Sequence, residues 1–323
     1  MNLKQTKFLV AMAAALAGVA AAPAYAGALA AADLNITQLY LSDATGAPLA
    51  ANATLAIGSE SRTGTANANY NGVSAVGPGP GSLSSNAIGA PIDVLARCVG
   101  PDCGTVAGTL YGGNYENNGT THILPPPTAN FALGDMNISG SAVGIAPIQG
   151  LTRADAAAIG PNNEGGSNAT ILNSASITST FTVGTTFTGN VAVTANAYHA
   201  LWVSNALNRK DQASGGISWL MTLTCTPGGA TSCASFGSVL VFQPGDLNKT
   251  GFVTDSAFNT SHSFSGTLVS DAREFVAGNT YTLSIIQASN VTVISATPEP
   301  ASLALVGAAL LGLGVASRRR SKK

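Results

Sequence analysis

The C-terminal half of the chain alternates apolar and hydroxylated residues with a period of two. Ile177, Phe181 and Val183 share one parity, whereas Thr178 and Thr180 lie on the other. Because successive side chains of a β-strand point to opposite faces of a sheet, this pattern predicts strands with one buried face. Turn residues separate these strands, so we predict a mainly β body, an antiparallel β-sandwich or jelly roll with long irregular loops. The further predicted strands are 187–195, 217–225, 237–243, 262–269, 280–287 and 290–295.

The N-terminal half of the sequence is less regular. Asp33–Leu41 and Ala53–Ile57 are predicted to add strands to the same sandwich. The stretch Gly58–Ala90, rich in Gly, Ser, Asn and Pro, predicts a long loop, and Asn114–Thr128 predicts extended chain. We therefore expect one β-rich domain over residues 27–296, with an irregular first half.

One segment of this half has the composition of a short helix. Leu151–Gly160 is rich in alanine, which has the highest helix propensity. Thr152 is a suitable N-cap and Gly160 a suitable stop. The sequence therefore predicts a helix at this position.

Charged residues are scarce and unevenly placed. Only 9% of the 323 residues are charged, against about a quarter in typical soluble proteins. Between Gly27 and Thr297 there are 14 acidic and 7 basic residues, so this part carries a charge of about −7. Nucleic-acid-binding proteins need clustered Lys and Arg to neutralise phosphates. The composition therefore argues against nucleic acid and against adsorption to anionic lipid.

The N-terminus has the three parts of a secretory signal peptide. Lys4 and Lys7 form the positive region, and Phe8–Ala22 is apolar and rich in alanine. Ala24 and Ala26 place small residues where signal peptidase requires them. We expect residues 1–26 to form a signal helix that is cleaved after Ala26; a buried N-terminal helix is the alternative.

The C-terminus ends in a proline motif, an apolar stretch and a basic cluster. The apolar stretch Ala301–Ser317 has 17 residues and would span about 25 Å as a helix. That length is close to the minimum for crossing a bilayer as a single transmembrane helix. The basic residues would hold the chain end in the cytoplasm. The flanking residues are Pro298, Glu299 and Pro300 before the stretch and Arg318, Arg319 and Arg320 after it.

This tripartite tail, residues 297–323, resembles the PEP-CTERM sorting signal of Gram-negative bacteria that also make exopolysaccharide. The resemblance implies that exosortase, a membrane transpeptidase-like enzyme, cuts the chain near Pro298–Pro300. It also implies that the helix holds the chain in the inner membrane transiently, before the body reaches the cell surface or extracellular matrix. A permanent single-span anchor is the alternative.

The four cysteines lie in two close pairs, Cys98 with Cys103 and Cys225 with Cys233. An exported chain meets an oxidising compartment, where an even number of cysteines favours disulfides. Both short loops contain Pro and Gly, which permit tight closure. We predict bonds within each pair; a zinc site is the alternative, although neither spacing matches a zinc ribbon.

A second resemblance covers the middle of the first half. Short motifs there follow one another as they do in a group of exosortase-dependent surface proteins, which continue into a strand block rich in Thr and Phe. The resemblance implies no catalytic activity. The motifs are Ala96–Gly100 with Cys103, Glu116–Asn118, Pro125–Pro127, Asn130–Ala132, Thr152–Asp155 and Ser167–Thr170.

Residues suited to catalysis are sparse and form no recognisable set. His122, His199 and His262 are isolated in sequence, and no two have metal-ligand spacing. There is no nucleophile-elbow motif, and no pair of acids is singled out for glycoside hydrolysis. We therefore expect no enzymatic activity and no cofactor; a secreted hydrolase would require His199 to meet two carboxylates in a pocket.

One loop resembles the start of a calcium-binding loop. Asp246, Asn248 and Thr250 occupy the first, third and fifth positions, and Gly251 follows. Against calcium, Lys249 adds positive charge and the twelfth position lacks the usual Glu. A polar β-turn is the alternative interpretation.

These observations favour a non-enzymatic, biofilm-associated structural protein of the cell surface or extracellular matrix. Its expected partners are signal peptidase, exosortase and exopolysaccharide, which would meet a weakly charged face rich in Ser, Thr and Asn. The alternative is a glycan-binding adhesin with a lectin-like sandwich.

Overall fold

The computed structural model describes residues 27–43, 48–49, 55–76, 80–105, 129–141, 147–159, 167–204, 211–254 and 258–295. The predicted signal helix, the sorting tail, the extended segment Asn114–Thr128 and His122 lie outside these residues.

The described residues form sixteen β-strands and two single helical turns, at Cys103–Thr105 and Gly245–Leu247. The strands are β1 (Gly27–Asp43), β2 (Leu55–Thr65), β3 (Ala68–Tyr70), β4 (Val73–Ser74), β5 (Ser82–Ser85), β6 (Ile92–Val99), β7 (Phe131–Ser139), β8 (Ile148–Ile159), β9 (Ser167–Val183), β10 (Phe187–Val203), β11 (Gln212–Thr226), β12 (Val239–Phe242), β13 (Lys249–Thr254), β14 (Phe258–Val269), β15 (Arg273–Phe275) and β16 (Thr280–Ser295).

The strands form two antiparallel sheets. Sheet A has the order β14-β10-β1-β8-β7-β6, with β15 also paired to β10. Sheet B has the order β12-β11-β16-β9-β2-β5, with β13 on β11, β3 on β9 and β4 on β3. Side chains from both sheets share one hydrophobic core, as in a β-sandwich. The predicted mainly β, antiparallel architecture is confirmed.

In the C-terminal half, the apolar residues of the alternating pattern lie in this core. Ile177, Phe181 and Val183 of β9 are buried, whereas Thr178 and Thr180 lie on the opposite face. The two strands predicted over 280–287 and 290–295 are one continuous strand, β16. An aromatic cluster closes one part of the core, with ring centroids 5.1–5.6 Å apart among Phe181, Phe236, Phe275 and Tyr281.

The prediction of a long loop over Gly58–Ala90 is wrong. Most of β2 and all of β3, β4 and β5 fall within it, and β2 pairs with β9. Gly64 is required by packing, because a Cβ there would lie 1.2 Å from Cε of Met136. Glycine and serine here reflect close contact between the sheets and outward positions on a strand, which composition alone does not distinguish from a loop.

The helix predicted at Leu151–Gly160 is also wrong, because this segment is strand β8. It pairs with β1 on one side and β7 on the other, and this pairing outweighs the helix propensity of alanine. Ala154, Ala156 and Ala158 pack in the inter-sheet core. Thr152 caps no helix; its hydroxyl lies 2.9 Å from that of Ser289.

The N-terminal half is therefore as regular as the rest where it is described. β1 lies in the middle of sheet A, between β10 and β8, so strands from both halves of the chain pair with each other in one sheet. A polar bridge also joins the sheets. Gln287 Nε2 of β16 donates to the carbonyl of Leu34 (2.6 Å) and to Oγ1 of Thr152 (3.1 Å).

Both predicted disulfides are present. Cys98–Cys103 joins the end of β6 to the helical turn that follows it, and Cys225–Cys233 joins the end of β11 to the next loop. Asn279 reaches into the second loop, where its Nδ2 donates to the carbonyl of Ser232 (3.0 Å). The two bonds thus fasten one loop at an end of each sheet.

Candidate functional site

The outer face of sheet B consists largely of hydroxyl groups. Alternate side chains of β2, β9, β11 and β16 face the other sheet. The positions between them are rich in Ser and Thr and face outward. We call this surface the hydroxyl face. Its members are Ser59, Ser61, Thr63, Thr65, Ser174, Ser176, Thr178, Thr180, Thr182, Ser218, Thr222, Thr224, Thr226, Thr280, Thr282 and Ser284.

Strand register places these hydroxyl groups in rows across the sheet. One row runs through Ser61, Thr178, Ser284 and Thr222, each directly opposite the next. Neighbouring strands are about 4.8 Å apart, and successive outward positions along a strand are about 6.7 Å apart. The face is therefore a regular lattice of donors and acceptors.

Hydrogen bonds between strands hold part of this lattice in place. The hydroxyl oxygens of Ser59 and Thr180 are 2.8 Å apart, and those of Thr63 and Ser176 are 2.7 Å apart. A hydroxyl pair uses one hydrogen internally and keeps a second hydrogen and spare lone pairs. The Thr63–Ser176 pair therefore still presents a donor and an acceptor to a ligand. Oγ1 of Thr180 is more fully used, because it also accepts from the Ser59 amide (3.0 Å) and donates to the Ser59 carbonyl (3.5 Å).

The hydroxyl face is also uncharged. Among its described residues, no outward position on the four strands holds an acidic or basic side chain, and the charged residues of β2, Glu60 and Arg62, are buried. Exposed apolar side chains lie on the same side. Ile286 (50% exposed) interrupts the lattice between Ser176 and Leu220, and Val241 (59%) and Phe252 (64%) flank it. A neutral ligand would therefore meet hydroxyl groups and a few apolar contacts.

Sheet A carries charged side chains on the side that faces away from sheet B. Asp33 of β1 lies opposite Arg153 of β8, and Arg153 lies opposite Asp135 of β7. Nε of Arg153 donates to Oδ2 of Asp155 at 2.7 Å. These four residues, which we call the carboxylate cluster, are each at most 1% exposed. Arg153 thus bonds to one carboxyl group and lies opposite two others in register.

Burial in this cluster changes the titration of Asp33. Burial raises the pKa of its carboxyl group from 3.8 to about 8; the Arg153 guanidinium opposes the rise, and the Asp155 and Asp135 carboxylates add to it. Burial, with a contribution from Asp155, also raises the pKa of the nearby Tyr198. Asp33 is therefore mostly protonated at neutral pH. Carboxyl groups buried this deeply do not meet a dissolved substrate.

A second buried ion pair has balanced charge. Nε of Arg62 donates to Oε1 of Glu60 (2.8 Å), and Nη1 of Arg62 donates to the carbonyl of Ala90 (2.8 Å). Oε1 of Glu60 also accepts from the Gly89 amide (2.8 Å), and its Oε2 accepts from Ser141 (3.0 Å). The pair fastens two loops to β2. Neither ionic group was predicted from the sequence. The carboxylate cluster joins residues that are far apart in the chain, and the Glu60–Arg62 pair lies in a predicted loop.

Two histidines that are far apart in sequence lie close together in the structure. His199 and His262 are directly opposite each other on β10 and β14. Each ring donates from Nε2 to a backbone carbonyl, His199 to Gly215 (3.1 Å) and His262 to Asp246 (2.9 Å). Burial lowers the pKa of His199; the bond to Gly215 opposes this and the nearby His262 adds to it. Both rings therefore serve contacts between the sheets.

The candidate calcium residues serve the local fold. Oδ1 of Asn248 accepts from the Trp219 amide (3.0 Å), while its Nδ2 donates to the carbonyl of Trp219 (2.9 Å). Thr250 belongs to β13 and pairs with Gly216, and Asp246 lies in the helical turn before it. In the described part of the chain, no group of three or more potential ligands is placed to hold a metal ion.

Comparison with protein families adds information about the C-terminal residues. Residues 296–320 match the PEP-CTERM protein-sorting motif. The chain carries this sorting motif. The match includes Pro298, Glu299, Pro300 and the three arginines Arg318–Arg320, which lie outside the described residues. No curated protein and no solved structure gives a significant match to the chain.

The PEP-CTERM motif implies processing by exosortase and export to the cell surface. The two disulfides fit a protein outside the cytoplasm. Within the described ranges, no helix has the length and apolar character needed to cross a bilayer.

Proposed function

We propose that the protein is a non-enzymatic structural component of the cell surface or extracellular matrix, and that its hydroxyl face contacts exopolysaccharide. Signal peptidase removes residues 1–26, the C-terminal helix holds the chain briefly in the inner membrane, and exosortase then acts near Pro298–Pro300. The hydroxyl face carries this proposal, because it is an ordered and uncharged array of donors and acceptors at the protein surface.

The chemistry of the face suits a neutral polysaccharide. Sugar hydroxyls donate and accept hydrogen bonds, as Ser and Thr do, so the two surfaces complement each other without desolvating an ion. Each hydrogen bond contributes only about 0.5–1.5 kcal/mol. Repeated contacts along a polymer raise the overall affinity, because later contacts form at high effective concentration. The body charge of about −7 opposes binding of acidic polymers.

The sorting part of the proposal is tested by deleting exosortase from the producing strain. With the enzyme present, intact-mass analysis should find a surface form that lacks residues 1–26 and the C-terminal helix. Without it, the tail should remain and the protein should stay with the membrane fraction. Unchanged mass and location after the deletion would contradict the sorting mechanism.

The polysaccharide part is tested by co-sedimentation of the exported protein with the exopolysaccharide of its strain. An insoluble neutral β-glucan and calcium-gelled alginate serve as defined neutral and acidic probes. We expect binding to the strain's polymer and stronger binding to the glucan than to alginate. Binding to alginate alone, or to none of the three, would contradict a neutral hydroxyl contact.

A second candidate, a glycan-binding adhesin, is favoured by one exposed aromatic ring. Phe252 of β13 is 64% exposed and lies beside Ser214 of β11, which is itself opposite Thr292 of β16. An aromatic ring next to hydroxyl groups is a suitable platform for a sugar ring. Saturable binding on a glycan array that Phe252→Ala abolishes and Val241→Ala preserves would support this alternative. Uniform absence of binding would exclude it.

A further inference from the structure

The two sheets end in edge strands that differ in how well they are protected. An edge strand has a row of backbone groups that can pair with another strand, and natural proteins block such edges with charge, proline, bulges or short length. In the described part of the chain, sheet A ends at β6 on one side and at β14 and β15 on the other, whereas sheet B ends at β5 and β4 and, on its other side, at β12 and β13. β4 and β15 are only two and three residues long, and β15 carries Arg273 and Glu274.

Three of these edges carry blocking features. β5 and β12 are each four residues long, and Pro244 with a helical turn interrupts the edge between β12 and β13. β6 has a register shift between Val94 and Arg97, carries Asp93 and Arg97, and ends in a disulfide. Each feature limits the addition of another strand.

β14 has none of these features. Its 12 residues, Phe258–Val269, include no proline and no acidic or basic residue apart from His262. It pairs with β10 along its whole length without a register shift. The His262 ring bonds to the carbonyl of Asp246 and so is already occupied. β14 is therefore a long, regular and neutral edge.

The outward side chains of β14 are suited to pairing with copies of themselves. Ser261, Ser263, Ser265 and Thr267 are exposed at alternate positions. Two of them already form polar pairs with β10: Ser265 donates to Oδ1 of Asn196 (2.7 Å), and the hydroxyls of Thr267 and Thr194 are 2.8 Å apart. A hydroxyl both donates and accepts, so identical strands can repeat these pairs across a new interface.

We propose that β14 is a self-association edge, and that β14 of a second copy adds to it in antiparallel orientation about a two-fold axis. Such an interface is isologous, so one strand supplies both halves of the contact. The hydroxyl side chains favour this occupant, because each can donate to and accept from the same side chain of a second copy. The body charge of about −7 opposes association at long range, but β14 itself is neutral, so pairing along it brings no like charges into contact. Pairing joins two A sheets into one continuous sheet.

Cysteine scanning of the exported protein tests the geometry of this interface. All four native cysteines are in disulfides, so a single added cysteine is the only free thiol. Ser261→Cys, Ser263→Cys, Ser265→Cys and Thr267→Cys are oxidised separately, with Leu95→Cys on the blocked β6 edge as control. The yield of disulfide-linked dimer should be highest for the cysteine nearest the two-fold axis and lower for the positions on either side of it. Uniformly low yields, or a yield at Leu95 equal to that peak, would overturn the proposal.

Sedimentation velocity over a concentration series tests the same edge without oxidation. Ser261→Lys with Ser265→Lys adds two charges to β14, and Ser174→Lys with Thr178→Lys adds the same charges to the interior strand β9. The wild type and the β9 variant should dimerise as the protein concentration rises. The β14 variant should need at least about tenfold higher concentration to dimerise, because the added like charges of two copies then face each other. Equal association of both variants, or a monomeric wild type throughout, would contradict the proposal.

Discussion

The two outer faces of the sandwich are built on the same strand alternation but have opposite chemistry. On sheet B the outward positions of β2, β9, β11 and β16 are mostly Ser and Thr; the members of the hydroxyl face are partly or fully exposed, and none of the described outward positions is charged. On sheet A the corresponding parity of β1, β7 and β8 supplies Asp33, Asp135, Arg153 and Asp155, which are buried. One sheet thus offers hydroxyls to an outside ligand, whereas the other encloses its charges.

This difference separates structural residues from candidate binding residues. A buried charge is costly unless it is paired, so changes in the carboxylate cluster should alter stability. An exposed hydroxyl contributes little to folding, so changes on the hydroxyl face should alter binding and leave stability nearly unchanged. The following predictions test this separation, first in the buried groups and then on the hydroxyl face.

Arg153→Met should give the largest effect. It removes the guanidinium that bonds to Asp155 and lies opposite Asp33 and Asp135. Loss of one partner of a buried ion pair should lower the free energy of unfolding by about 3–5 kcal/mol. Arg273→Met is the matched control, because Arg273 faces Asp271 at 4.0 Å in a partly exposed pair. Such pairs contribute about 0–1 kcal/mol. Equal losses for both variants in urea denaturation would contradict the assignment.

The titration of Asp33 should make stability depend on pH. The folded state keeps its proton up to about pH 8, whereas the unfolded carboxyl has a pKa of 3.8. Between these values unfolding releases a proton, so the free energy of unfolding should fall as pH rises, by up to about 1.4 kcal/mol per unit, and level off above pH 8. Asp33→Asn should remove this slope. A slope unchanged in the variant would assign the proton to another group.

Gln287→Leu tests the bridge that holds the two sheets together. It removes hydrogen bonds to Leu34 and Thr152, and it should lower the free energy of unfolding by about 1–2 kcal/mol. Gln212→Leu makes the same change on the outer side of β11 and should have a smaller effect. Thermal unfolding of both variants provides the measurement, and a larger loss for Gln212→Leu would be inconsistent with the bridge.

The sequence predicted those parts of the fold that depend on local pattern. Alternation identified β9–β12, β14 and β16, and cysteine spacing identified both disulfides. The prediction from local sequence was wrong for β8. Alanine favours a helix locally, whereas the pairing of β8 with β1 and β7 depends on residues that are distant in the chain. The carboxylate cluster was missed for a similar reason: Asp33 and Arg153 are 120 positions apart and meet only through register.

The hydroxyl face was predictable in composition but not in arrangement. Ser and Thr on one parity indicated a polar outer side. The rows through Ser61, Thr178, Ser284 and Thr222 depend on the strand order β2-β9-β16-β11, which no local pattern specifies. The opposed histidines on β10 and β14 likewise follow from strand order.

Removing hydroxyls from the hydroxyl face should have the smallest effect on stability. Thr178→Val with Thr180→Val keeps the side-chain shape and a β-branched residue on each position. The free energy of unfolding should change by no more than about 0.5 kcal/mol per site. A loss well above that in urea denaturation would mean that the hydroxyls serve folding.

The most direct test compares equivalent changes on the two faces. Thr178→Val with Thr180→Val alters the hydroxyl face, and Thr194→Val with Thr267→Val removes a hydrogen-bonded hydroxyl pair from sheet A. Binding of both exported variants to the strain's exopolysaccharide is measured by co-sedimentation. Our account predicts about tenfold weaker binding for the first variant and unchanged binding for the second. Equal binding by the two variants would contradict the hydroxyl face as the polysaccharide contact.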